Sequence, residues 1–158
     1  GARAGDRIFV TGTLGGTALA VARAARGARV RVAPEPRLAA GMVLARMRGV
    51  GGCIDVSDGL AADLGHLLDA SGVGAEIDAA RVPRPAGFAA ACARAGADPE
   101  RLALAGGEDY ELLFTLRPGA PAAARVARLL GVPVAEIGRV HRRRPGGRTR
   151  SARGFRHF

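Results

Sequence analysis

Two acids and a hydroxyl crowd the stretch Asp55-Val56-Ser57-Asp58-Gly59-Leu60, directly after the apolar pair Cys53-Ile54 and directly before a leucine-rich run. In an extended chain successive side chains alternate, so Asp55 and Ser57 project to one side while Val56 packs on the other. Asp58 then stands near the start of a helix, whose free amides favour anions. Hard oxygen ligands beside such a helix start suit Mg2+, which is commonly held by one or two carboxylates, water and substrate phosphates. A plainer reading competes, in which Ser57 or Asp58 only caps the helix. On spacing alone the cap is the stronger reading. Asp55 shifts the balance, because a cap needs one oxygen and a second acid closing an apolar strand is costly unless paired or metal-bound. Asp55 and Asp58 are therefore the candidate metal ligands.

A second dense cluster is Gly106-Gly107-Glu108-Asp109-Tyr110-Glu111-Leu112-Leu113-Phe114, with carboxylates at 108, 109 and 111 around the entry to an apolar strand. Paired glycines permit backbone shapes that bring a loop close to a ligand; a tight turn with solvated acids explains the cluster equally well. Alternation sets Glu111 opposite Leu112 and so toward solvent. Gly12-Thr13-Leu14-Gly15-Gly16 lacks both the Lys-Ser/Thr ending of a P-loop and the spacing of a dinucleotide fingerprint, and reads as a tight turn. His66, His141 and His157 have no partner at nucleophile or metal spacing and read as ordinary residues. Cys53 and Cys92 form no C-x-x-C pair and have no histidine cluster, which leaves them as buried structural thiols.

The elements that must position these residues follow from periodicity. Residues 6–11 alternate and close at Gly12, a strand ending in a turn, and 17–26 favour a helix stopped by Gly27. Pro34 and Pro36 break the chain before a helix over 38–48, whose apolar face comprises Leu38, Met42, Leu44 and Met47. Gly51-Gly52 marks another break, then come a short strand at 53–56 and a helix over 60–70 burying Leu60, Leu64, Leu67 and Leu68. Strands are expected at 74–78, 110–116 and 132–137, and helices at 86–94, 101–105 and 122–130. From Arg139 onward the arginine run reads as an exposed turn, with hydrophobic order returning at Phe155 and Phe158. Interleaved strands and helices give an α+β fold, a mixed sheet covered by helices in layers. The order of strands in the sheet is not legible.

A chain of 158 residues fits one domain, and residues 1–158 are read as one. The net charge of +10 invites a nucleic-acid reading, but eight of the 24 basic residues lie in the last twenty positions and the remainder is near neutral. Every basic residue is Arg, a bias that points away from a surface selected for phosphate, so a nucleic-acid-binding module stays the weaker alternative. No apolar run approaches the roughly 20 residues that span a bilayer, and no leader pattern is present, so a soluble cytoplasmic protein without membrane partners is expected.

The ordered set Gly5-Asp6-Arg7-Ile8-Phe9-Val10-Thr11-Gly12-Thr13-Leu14-Gly15, Pro36-Arg37, Asp55 to Leu60 running on to Asp63-Leu64-Gly65-His66, Gly106 to Phe114, and the closing Gly154-Phe155-Arg156-His157-Phe158 resembles the carboxyl-terminal domain of the thiamine-monophosphate kinase family. That family sits in the aminoimidazole-ribonucleotide-synthetase-like superfamily. The resemblance implies ATP-dependent phosphorylation of thiamine monophosphate to thiamine diphosphate, with Mg2+ ions neutralising the clustered phosphates. By motif it implies that Asp55 and Asp58 bind Mg2+, Ser57 contacts ATP, Glu108 contacts the thiamine part of the substrate, and Phe155 completes that pocket with a ring that stacks but carries no hydroxyl. It also implies an amino-terminal domain, absent here, that supplies most metal-binding acids, much of the nucleotide site and the homodimer interface, so this chain alone is expected to be inactive. A related ATP-dependent synthetase of the same superfamily is the alternative, since Ser57-Asp58-Gly59 is the less exclusive part of the set.

Overall fold

A computed structural model describes residues 1–143 and, for 155–157, the backbone. Six strands form one sheet: β1 (Arg7–Thr11), β2 (Val50–Val56), β3 (Val73–Asp78), β4 (Glu111–Leu116), β5 (Val134–Arg142) and β6 (Phe155–His157), in the order β2-β4-β1-β5-β3-β6. The expected α+β class, helices layered on a sheet, is the one observed. Strand direction is not mixed, however, for every pairing is antiparallel. The cause lies in the order: β4 and β5 insert between β1, β2 and β3, which all run the other way.

Alternation along the strands splits the core between the two faces. Ile8, Val10, Val56, Leu113 and Ile77 face α3 (Leu60–Ser71), which buries Leu60, Leu64, Leu67 and Leu68 as its spacing predicts. Phe9, Phe114 and Leu116 face α2 (Leu38–Arg46) and α6 (Ala123–Leu130), with the Phe9 and Phe114 rings stacked at 5.5 Å between centroids. A third cluster, built on Leu19, Phe88, Cys92 and Ala103, joins α1 (Gly16–Ala24), α4 (Phe88–Arg94) and α5 (Pro99–Ala105) and docks through α5 on α3. Asp98 starts α5 by accepting the amides of Glu100 and Arg101, with Pro99 in the first turn.

Local departures from the expected pattern have identifiable causes. In α2 the buried positions are Ala40 and Leu44, while Leu38 and Met42 are 75% and 58% exposed, so the expected stripe is split across two sides of the helix. Gly51-Gly52 does not end a strand but lies within β2, at an irregularity between Val50 and Cys53. A Cβ on Gly51 would stand 2.6 Å from Thr115 Oγ1 and 2.7 Å from Asp6 Oδ2, so the strand passes too close to its neighbours for a side chain. β5 runs on to Arg142 where an exposed turn was expected from Arg139. Ile137 is bulged opposite the Ile8/Phe9 step, which resets the alternation and returns Val140 to the face of Ile137. The backbone of Phe155 pairs with Asp78, while its side chain lies outside the described residues, as does Phe158. Among the described residues no helix is long and apolar enough to cross a membrane.

Phe114 is fully buried and stacked in the α2/α6 layer. Phe114→Ala is expected to cost about 3–5 kcal/mol, read as a lowered urea midpoint with an unchanged slope.

Candidate functional site

β2 is an edge strand, and its last residue, Val56, is fully buried against α3. Asp55 therefore points to the opposite face, where it is exposed and in register with Leu112 of β4. The chain then turns through Ser57, Asp58 and Gly59, the last at φ 107 with room for no Cβ, which would lie 2.9 Å from the carbonyl carbon of Ala105. Gly59 is the N-cap of α3, and no side chain caps it. Neither Ser57 nor Asp58 does the capping that their types suggest. Asp63, in the first turn and 2% exposed, reaches back instead, its Oδ2 accepting the amides of Ser57 and Asp58 at 3.0 Å each. Asp55, Ser57 and Asp58 thus keep their side-chain oxygens without hydrogen bonds or ion pairs among the described residues.

The loop before β4 is fastened to this turn. The Tyr110 amide donates to Val56 O at 2.9 Å and the Glu108 amide to Ser57 O at 2.8 Å, extending the β2/β4 ladder past the strands. A Cβ on Gly107 would stand 2.2 Å from Ser57 O, so a glycine is what lets the two loops touch. Glu108 and Tyr110 both adopt left-handed backbone, at φ 66 and 52, which is costly for residues other than glycine. The Tyr110 hydroxyl donates to Glu108 Oε2 at 2.8 Å. That bond, with the charges of Glu108, Asp55 and Asp58 around it, pushes the Tyr110 hydroxyl above its usual range. Glu108 is exposed.

The other two acids of this loop turn inward. Asp109 accepts the amides of Gly15 at 2.6 Å and Thr17 at 3.2 Å, so donors at the Gly12–Gly16 turn are taken up by protein. Glu111, expected to face solvent, is 5% exposed. Alternation sets only the direction of its Cβ; its carboxylate is drawn inward by Thr11 Oγ1 at 2.6 Å and by Arg37, whose Nε and Nη2 donate at 2.9 and 2.8 Å. Gly12 makes the room, since a Cβ there would lie 1.8 Å from Glu111 Oε1. The paired donation by Arg37 raises its already high pKa further. Sequence reasoning placed Asp63, Asp109, Glu111 and Arg37 within motifs but gave none of them a role at the site. For Asp63 a signal existed, an acid in the first turn of the helix.

A groove of about 470 Å³ lies alongside, with Leu38, Met42 and Leu112 as apolar wall and Arg37, Asp55 and Tyr110 as polar rim. Such a mixture suits a partly apolar small molecule held by few polar groups. The oxygens of Asp55 and Asp58 are hard donors of the kind Mg2+ takes, and among the described residues no arginine pairs with them. His66, expected to lack a partner at metal spacing, stands beside Asp58 and Asp63. Cys92 is buried as expected, whereas Cys53 is exposed. The side chain of Phe155 lies outside the described residues, so only its backbone position is placed.

Comparison with known proteins adds to this geometry. The family described as AIR synthase related protein, C-terminal domain, matches residues 3–149. The chain is 38% identical over 140 residues to thiamine-monophosphate kinase of Rhodopirellula baltica, covering 89% of this chain and 41% of that protein. Thiamine-monophosphate kinase from Stenotrophomonas maltophilia superposes with a TM-score of 0.79 at 34% identity, over 90% of this chain and 49% of the other. AaThiL complexed with AMPPCP and TMP does so with a TM-score of 0.69 at 31% identity, over 90% and 47%. The chain thus spans somewhat under half the length of these relatives.

Two outcomes follow from the inward-facing acids. Glu111→Gln, which strips the charge from a carboxylate holding Arg37 and Thr11, is expected to cost about 2–3 kcal/mol in urea unfolding. Burial raises the Asp109 carboxyl above its ordinary 3.8, against the lowering pull of the Gly15 and Thr17 amides. A carboxyl raised by folding is most favourable to the fold below its unfolded value, and that contribution is lost as pH rises through the folded value. Wild type should therefore lose stability relative to Asp109→Asn as pH climbs above about 4, measured by paired unfolding curves.

Proposed function

The chain belongs to the family of the AIR synthase related protein, C-terminal domain, and from that premise we propose that it is the carboxyl-terminal half of an ATP-dependent kinase converting thiamine monophosphate to thiamine diphosphate. The observation that carries this reading is charge: in a chain whose basic residues number 24, all arginine, the acids at the end of β2 have no cationic partner among the described residues. Phosphoryl transfer between two phosphate-bearing molecules brings more negative charge to the site. Bare carboxylates there would repel both substrates, whereas divalent cations bridging carboxylate and phosphate attract them. The solved relative bound to AMPPCP and TMP supports the same choice of substrates.

In this reading Asp55 and Asp58 would hold Mg2+, which would supply charge neutralisation for the transferring phosphate. Ser57 presents its hydroxyl to ATP from the turn that Asp63 fixes. Glu108, held by Tyr110 at the edge of the groove, meets the thiamine moiety, whose thiazolium is cationic. The backbone of Phe155 lies on β6, at the opposite edge of the sheet from β2, so its expected part in that pocket is left out of this reading. The rest of the nucleotide site, further metal-binding acids and a homodimer interface come from an amino-terminal half of the same polypeptide, acting in the cytoplasm, and this half alone does not turn over.

The test joins the chain to that amino-terminal half and follows thiamine diphosphate formation against Mg2+. Asp55→Asn and Asp58→Asn should each cut the rate at limiting Mg2+ by about tenfold or more, with partial recovery at high Mg2+. Normal rates in both variants would remove the ion-ligand roles, and absence of turnover in every combination with the wild-type chain would remove the kinase itself.

A further inference from the structure

One carboxylate at the turn is nearly enclosed. Asp63 is 2% exposed, and its Oδ2 takes the Ser57 and Asp58 amides while no bond to its other oxygen and no ion pair occurs among the described residues. That other oxygen is not enclosed and is open to a further partner. His66 follows three residues later on the same helix, a spacing that brings side chains to one face. Asp58 arrives from the turn before. One ligand atom from each of the three lies within 4.8 Å of the others. Asp58 and His66 are exposed and free to rotate, and small adjustments bring such a set onto one ion at about 2.0–2.2 Å.

We propose that Asp58, Asp63 and His66 form a three-ligand site for a divalent transition-metal ion, distinct from any ion held by Asp55, with its remaining positions open to water or a phosphate oxygen. The proposal rests on the reading of Asp58 as an ion ligand and extends it. The donor set decides the class of ion: two carboxylate oxygens alone would suit Mg2+, but an imidazole nitrogen favours ions such as Co2+, Mn2+ or Zn2+. Asp63 has two tasks in this arrangement, one oxygen fixing the turn and the other facing the ion, so ion binding and the shape of the Ser57-Asp58 turn are coupled. The end of β2 thus carries an all-oxygen position at Asp55 and, a turn away, a position at Asp58 where a transition-metal ion that also takes His66 competes with Mg2+.

The probe is Co2+ alone, added to the 158-residue chain without nucleotide and followed by its visible absorption, with Mg2+ binding measured in parallel by calorimetry. One Co2+ per chain is expected. His66→Ala should weaken it by about tenfold or more and leave Mg2+ binding unchanged, and Asp55→Asn should leave Co2+ binding unchanged. Because Asp63 also shapes the turn, Asp58→Asn is the second variant, expected to weaken Co2+ with an unaltered circular dichroism spectrum. Equal Co2+ affinity in wild type and His66→Ala, or a Co2+ site lost in Asp55→Asn, overturns the proposal. If that happens while Asp55→Asn and Asp58→Asn still slow the joined kinase, only this site fails. A His66-dependent Co2+ site in a polypeptide without kinase turnover keeps the site and removes the kinase reading.

Discussion

Everything at the proposed site hangs on a short extension of the β2/β4 ladder. The two strands pair as far as Val56 with Glu111, and the amides of Tyr110 and Glu108 then continue bonding to Val56 and Ser57 after both chains have left the sheet. Two segments roughly fifty residues apart in sequence are thereby locked in register, and Asp55 of one and Tyr110 of the other line the same groove. The same segment ties back through Asp109 to the start of α1 and through Glu111 to Thr11 and Arg37. A slip of one residue in that ladder would turn Asp55 toward the α3 core and Val56 toward the groove.

Charge is segregated around this rim. Asp6, Glu35, Glu111, Glu136 and Asp69 each have an arginine partner, whereas Asp55, Asp58 and Asp63 have none among the described residues. In a chain so rich in arginine, that separation leaves negative potential at the end of β2 and keeps guanidinium groups for structural pairs such as Arg37 with Glu111.

Much of the fold was legible because its helices and strands follow simple periods. The leucines of α3 were placed correctly, and the α+β class followed from interleaved elements. What was not legible depended on contacts across the sheet. The Gly51-Gly52 pair looks like a break until Thr115 and Asp6 are seen crowding it; the strand through Arg142 is hidden by the bulge at Ile137; the split of Leu38 and Met42 from Leu44 follows from α6 packing on one side only. At the site, Asp55, Ser57, Asp58 and Glu108 were named from their types and from the family resemblance, and the structure brings them to neighbouring loops. Glu111 was misread because a side chain of its length can bend toward donors that no local pattern reveals. Asp63, quoted only as part of the family motif, was given no role because Ser57 and Asp58 already offered caps and its bonds to their amides show only in the structure.

Glu108 and Tyr110 hold left-handed backbone and are linked to each other by a side-chain bond. Glycine at either position would relieve the backbone and also delete a group on the rim, so the loop stands where folding and ligand recognition pull in opposite directions. Selection for thermal tolerance alone, with no demand on turnover, would drift toward glycine at these two positions.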